Sequence, residues 1–323
     1  MRGGVEARAP GYSFHDLLAP RQSEFAEVLA GLARPQKEIP PKFFYDARGC
    51  ELFAAICGLP EYYPTRAELA IMRRHAGAMA RCCGPVCALI EIGCGNSEKT
   101  QLLLAAAQPR VFMPVDIARE QLEASCSALA RSFPALTIVA VRADFAQPVA
   151  LPAAGPPQAR RILYFPGSTI GNFTPDEARA FLARWALLLG AGGGALIGID
   201  LKKDRDVLDA AYNDAQGVTA EFNLNLLRYL NREFGADFDI AAFRHRAFYD
   251  AGKGRKRQGL RGRKDDLAAG RGSGHGARGS HHFRRSPQPR RVVPGGLGRQ
   301  PRSRTDRLHQ RHGIAAQGRD ADP

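Results

Sequence analysis

The sequence predicts an α/β fold built on a doubly wound parallel sheet, and three observations carry that prediction. Apolar strand-like runs alternate with amphipathic helical runs between about residues 87 and 200, the pattern of successive βαβ units. The first run breaks at two glycines and turns at once into a helix, in Leu89-Ile-Glu-Ile-Gly-Cys-Gly-Asn-Ser-Glu-Lys-Thr-Gln-Leu-Leu-Leu104. The next two runs end in acids, Asp116 and Asp144. Right-handed crossovers place all these strand ends on one edge of the sheet, where ligands of such folds bind.

The elements follow in order. Residues 1–20 read as a flexible, Gly/Pro/Arg-containing terminus, and Phe25 to Leu32 has helical apolar spacing. Two segments dense in proline and aromatics come next, Ile39 to Phe53 and Leu59 to Thr65. Proline fixes such segments in extended or turn conformations, and tyrosine supplies a ring and a hydroxyl. That composition suits a pocket lining, although filling a core beside a loop is the commoner use. Thr65-Arg-Ala-Glu68 reads as a capping box opening a helix to about Ala80.

The glycine-turn strand follows, with Ser97 as N-cap of a helix from Glu98 to about Ala107. Val111 to Asp116 is a strand, Arg119 to Arg131 a helix, and Leu136 to Asp144 a strand. Arg161 to Phe165 is a fourth strand, Pro175 to Leu189 a helix, and Gly194 to Asp200 a fifth strand. Helices are expected over Asp204 to Asp214 and Val218 to Phe234, and Phe238 to Tyr249 begins like a strand.

Beyond residue 250 the pattern stops. Residues 251–323 hold 14 glycines and only eight Leu, Ile, Val, Met or Phe, too little apolar surface to offset chain entropy. They also hold 19 basic and 5 acidic residues, the whole +14 excess of the chain, so residues 1–250 are neutral. The expected tail is disordered and basic. Its lone aromatic, Phe283, makes a poor stacking platform, so any nucleic-acid binding should be weak, nonspecific and salt-sensitive.

All seven cysteines lie in the first 126 residues without paired Cys-x-x-Cys spacing, which argues against a disulfide frame or metal site and for a reduced, cytoplasmic setting. No run of about 18 apolar residues spans a membrane and no secretory pattern opens the chain.

The glycine turn also narrows the cofactor. A dinucleotide site keeps a third glycine where this chain has Glu98, and a carboxylate there repels a pyrophosphate. S-adenosyl-L-methionine has no phosphate and carries cationic groups. Asp116 lies 23 positions after Gly93, near the roughly 20 expected of an acid that grips ribose hydroxyls. Asp144 and Phe145 suit an adenine, as acceptor and ring. Lys99 sits in the helix's first turn, against the macrodipole; a solvated lysine is the commoner reading, and an anionic partner such as the methionine carboxylate is the functional one.

Four strings then carry a specific resemblance: Phe44-Tyr-Asp-Ala-Arg-Gly49, Leu59-Pro-Glu-Tyr-Tyr-Pro-Thr-Arg-Ala-Glu68, Gly93-x-Gly-x-Ser-Glu-Lys-Thr100 and Phe165-Pro-Gly-Ser-Thr-Ile-Gly-Asn-Phe-Thr-Pro175. Over roughly residues 20–250 the chain resembles the L-histidine Nα-methyltransferases, the hercynine-forming enzymes of ergothioneine biosynthesis. The resemblance implies a class I, Rossmann-like S-adenosyl-L-methionine domain over residues 65–203. It also implies a smaller substrate domain from residues 21–64 and a helical insertion at 204–250, and a monomer. It implies that Tyr62, Asn172 and Tyr212 hold the amino acid's amino and carboxylate groups, with Tyr62 and Asn172 orienting the attacking amine. Tyr45 is implied to lie near the imidazole, and Gly93, Gly95, Lys99, Asp116, Asp144 and Phe145 to hold the cofactor. Other amino acids or small amines stand as the alternative acceptors, and an inactive remnant as a further one. The family's C-terminal acid-and-serine element is not recognisable, and the tail has the composition of a GC-rich coding region read out of frame. The expectation is an altered terminus with weakened imidazole contacts.

Overall fold

The computed structural model describes residues 5–9, 11–18, 21–95, 98–252 and 254–262. At the N-terminus, strands β1 (Val5–Ala9) and β2 (Tyr12–Asp16) precede helices α1 (Arg21–Ala33), α2 (Ala47–Gly58) and α3 (Tyr63–Cys83). The alternating region then runs β3 (Cys87–Ile92), α4 (Glu98–Ala107), β4 (Val111–Asp116), α5 (Arg119–Ser132), β5 (Thr137–Arg142), β6 (Arg160–Phe165), α6 (Pro175–Leu189) and β7 (Gly194–Ile197). Helices α7 (Arg205–Ala210) and α8 (Val218–Phe234) lead to the strands β8 (Phe243–Asp250) and β9 (Arg255–Gly262).

The main sheet has the order β1-β2-β5-β4-β3-β6-β7, parallel throughout except for the β1–β2 pair. Central strand β3, Cys-Ala-Leu-Ile-Glu-Ile, is buried at all six positions, as expected of a parallel strand covered on both faces. Alternate residues feed two cores. Leu89, Phe112 and Ile138 pack with Leu103, Leu104, Leu122 and Leu129 on one side. Ile90, Met113, Val139 and Leu163 pack with Phe181 and Trp185 of α6 on the other. Two smaller clusters lie where α2 and the segment before it meet α8.

Four expectations need correction. Residues 1–20 are not uniformly flexible, because β2 pairs in parallel with β5, from Tyr12↔Ile138 to Asp16↔Arg142. Phe14 is buried, with the Arg119 guanidinium 4.9 Å from its ring centroid, and Arg142 donates to Asp16 over 2.9 Å. The Ile39 to Phe53 stretch is not extended or turn throughout, because helix α2 begins within it at Ala47, with its N-cap Asp46 accepting from Gly49 N at 2.8 Å. The capping box at Thr65 does not open α3. With Pro64 in its first turn, the helix begins at Tyr63, and the Glu68 carboxylate is used elsewhere.

Finally, regular structure passes residue 250, where β9 pairs antiparallel with β8 from Asp250↔Arg255 to Phe243↔Gly262. Backbone pairing needs little apolar content, so an eight-residue strand vanishes in the composition of a 73-residue tail. The rest of that tail, residues 263–323, and Ser97 lie outside the described residues.

Candidate active site

The carboxyl ends of β3, β4 and β5 carry the glycine turn and both acids. Gly93 and Gly95 have φ of +70° and +35°, where side chains are strained and glycine is not. A Cβ at Gly93 would meet no atom within 4 Å, so open space lies in front of the turn. Gly93 N donates to Val115 O at 2.9 Å. The Gly95 carbonyl accepts from Gln121 Nε2 and Ser125 Oγ, each at 3.0 Å. Those two α5 residues brace the turn and were not legible as site residues, since nothing in their spacing marks them.

Asp116 accepts from Ala118 N at 3.0 Å and from the Cys94 thiol at 3.7 Å. Burial raises its pKa, against the amide hydrogen bonds that favour the carboxylate. Behind it, Glu91 is 1% exposed and takes the Thr100 hydroxyl between its oxygens, at 2.8 and 2.9 Å. Burial pushes the Glu91 carboxyl up to about 8, against the Thr100 bond and the nearby Lys99.

Lys99 does have an anionic partner. Its Nζ lies 2.6 Å from Glu68 Oε2. Glu68 also accepts from Gly167 N at 2.8 and 3.0 Å, and a Cβ at Gly198 would come within 2.3 Å of its Oε1. One carboxylate thus ties the starts of α3 and α4 to the loops after β6 and β7. Tyr63 adds a second tie, donating to Asp200 at 2.5 Å, while Asp200 N donates to Ser168 Oγ at 2.9 Å. These contacts fix the segment carrying Asn172, which ends the short 3₁₀ turn Thr169–Asn172 and is exposed.

Asp144 accepts from Ala146 N at 3.0 Å and from Lys42 Nζ at 2.9 Å. Beside it, the Phe145 ring packs edge-on against Phe165 and Phe181, with centroids 6.0 and 6.4 Å apart.

The predicted tyrosines come together. Tyr62 meets Tyr212 at 5.9 Å and Phe53 at 6.4 Å, while Tyr45 meets Phe53 at 5.7 Å and Phe222 at 5.8 Å, all edge-on. Tyr62 and Tyr212 also share a side-chain hydrogen bond. Burial raises all three phenol pKa values, Tyr212 to about 12, and the charge of Asp116 adds to the rise at Tyr45. The cluster is part of a core that buries Leu52, Ile56 and Phe222, and of its three hydroxyls that of Tyr45 is within electrostatic reach of the β4 acid.

The hairpin supports this wall, which sequence reading missed. His245 of β8 bonds the Tyr212 carbonyl through Nε2 at 2.7 Å and Asn223 of α8 through Nδ1 at 2.5 Å. Burial lowers its pKa, against the carbonyl bond and Asp214.

A family model described as histidine-specific methyltransferase, SAM-dependent, matches residues 24–277. The histidine N-alpha-methyltransferase of Mycobacterium tuberculosis is 42% identical over 240 residues, 73% of this chain and 73% of that protein. That of Mycolicibacterium smegmatis is 43% identical over 242 residues, 73% and 74% of the two chains. Ergothioneine biosynthesis protein 1 of Neurospora crassa is 31% identical over 244 residues, 68% of this chain and 28% of that protein.

Proposed function

Because the chain belongs to the family of SAM-dependent, histidine-specific methyltransferases, we propose that it methylates the α-amino nitrogen of L-histidine, up to the trimethylated betaine hercynine. One observation supports this above the others: Tyr45, Tyr62 and Tyr212 come together in one cluster, and Tyr45 is within electrostatic reach of the acid at the end of β4, so an amino acid held by these tyrosines would lie next to the cofactor cradle.

The residues present fit S-adenosyl-L-methionine. The open, positive-φ glycine turn admits a close backbone approach, Asp116 offers oxygens to the ribose hydroxyls, and Asp144 with Phe145 offers an acceptor and a ring to the adenine. Lys99 is our candidate for the carboxylate, in exchange for or alongside Glu68. When bound, the cofactor supplies a methyl group on a positively charged sulfur. The chain's own task is alignment. The attacking nitrogen must be neutral, with its lone pair toward the methyl group the bound cofactor would supply, and after each of the first two transfers the ammonium formed must lose a proton to water before it can attack again. Tyr62 and the Asn172 carbonyl accept the amine's protons and so orient that lone pair, and positioning of this kind supplies most of the rate. Tyr212 takes the carboxylate and Tyr45 faces the imidazole.

We assign residues 65–203 to the cofactor domain, and 21–64 with 204–250 to the substrate side, in a cytoplasmic monomer. No helix of the described residues is long and apolar enough to cross a membrane, and all seven cysteines are unpaired, which supports a reducing compartment. The altered terminus should weaken histidine binding and spare the cofactor. Calorimetry tests this: S-adenosylhomocysteine binding with weak histidine binding agrees, and tight histidine binding contradicts it.

A further inference from the structure

We propose that Lys42 is a positioning residue for the cofactor's adenine: it holds the Asp144 carboxylate aimed, and fastens the segment bearing Tyr45 to the cofactor site. The proposal rests on the reading of Asp144 as the acceptor for the adenine amine.

Lys42 lies in the 3₁₀ turn Pro41–Phe44, which ends at Tyr45. Its ammonium reaches 102 residues along the chain to Asp144 Oδ2, at 2.9 Å, and also meets Glu27 Oε2 of α1 at 2.5 Å. The Lys42 and Asp144 side chains are only 15% and 14% exposed, so the pair is shielded as surface pairs are not. The Phe43 ring lies 5.2 Å from the same ammonium.

This arrangement fixes the acid from two sides. Oδ1 is held by Ala146 N and Oδ2 by Lys42, which sets the plane of the carboxylate and leaves each oxygen a free acceptor site. Without Lys42, the Glu27 and Asp144 side chains would be left around one vacated position with no cation to tie them. Asp144 Oδ2 would then be free to swing away, and the side chain would no longer distinguish an amine from a carbonyl on the ligand. The same bond anchors the turn from which Tyr45 projects, so the adenine pocket and the tyrosine wall share one cation.

The test compares two ligands on the full chain by calorimetry: S-adenosylhomocysteine, and S-inosylhomocysteine, whose ring carries oxygen in place of the exocyclic amine. A buried acceptor built for an amine should favour the adenine ligand in the wild-type protein by about 100-fold. In Lys42→Met that ratio should fall by about tenfold or more, and Lys42→Arg should restore most of it. A merely structural loss weakens both ligands alike. An unchanged ratio in Lys42→Met, while Asp144→Asn lowers it, overturns the proposal and leaves the Asp144 reading standing. An unchanged ratio in Asp144→Asn overturns both. Circular dichroism checks the fold; if Lys42→Met is unfolded, the double variant Glu27→Gln/Lys42→Met, which removes one stranded charge, is read by the same criteria.

Discussion

Two acids on adjacent strands take different states from their surroundings. Asp116 stands at the end of β4 with an amide and a thiol donating to it, and its role is to accept from ribose hydroxyls. Hydrogen bonds to a charged acceptor are worth about 1.5–3 kcal/mol each, so Asp116→Ala should weaken S-adenosylhomocysteine by about 100-fold or more in calorimetry. Glu91 is sealed under the cradle with the Thr100 hydroxyl donating to it. Folded, it keeps its proton up to about 8, whereas its ordinary value is 4.5. Between those limits the folded chain binds the extra proton, so stability falls as pH rises across that window. Glu91→Gln keeps an oxygen for Thr100 and removes the titration. Its thermal midpoint should exceed the wild-type value at pH 9 by several degrees, and the gap should narrow as pH falls from 8 and close near 4.5. A gap independent of pH would show that Glu91 does not titrate there.

At the scale of elements, the cofactor half was legible because its signals are local. The predicted spans of α4 and α6 match the observed ones, and Thr174 caps α6 with a true capping box; on the substrate side only α8, marked by its apolar spacing, was as plain. The substrate half was less legible because long-range contacts decide it. Asp46 does not only cap α2; it also accepts from Asn225 and Arg232 of α8, each at 2.7 Å, so part of the Phe44–Gly49 string is scaffold. Within it, a Cβ at Gly49 would sit 1.7 Å from the Phe44 carbonyl oxygen. Gly49→Ala should push the turn before Tyr45 out of place and destabilise the fold by about 2 kcal/mol or more, read as a lower denaturant midpoint. Such an approach between non-neighbouring atoms leaves no trace in a pattern of apolar residues. His245 is similar: alone in a strand it is unremarkable, and only the fold brings it to the Tyr212 carbonyl. His245→Ala should raise the KM for histidine by about tenfold while the cofactor KM stays within about twofold, as expected when only the acceptor wall loosens.

For the whole molecule, net charge and fold belong to different parts of the chain. The body is neutral, and the +14 excess lies beyond residue 250, so the high isoelectric point says nothing of the site. RNA retained on filters by this chain should be released at modest salt, and deletion of residues 263–323 should abolish retention; salt-insensitive binding would point to a built nucleic-acid surface instead. The hairpin limits how much of the terminus composition alone can dismiss, because β9 and its bond-bearing partner β8 continue the substrate side to Gly262. The central claim is that this cradle and this tyrosine wall together methylate histidine. A single-turnover reaction of the full chain with S-adenosyl-L-methionine across a panel of amino acids, followed by mass spectrometry, tests it most directly. L-Histidine should be methylated on its α-amino nitrogen faster than any other member of the panel; no transfer to histidine, or faster transfer to another amino acid, would rule out a histidine-specific site.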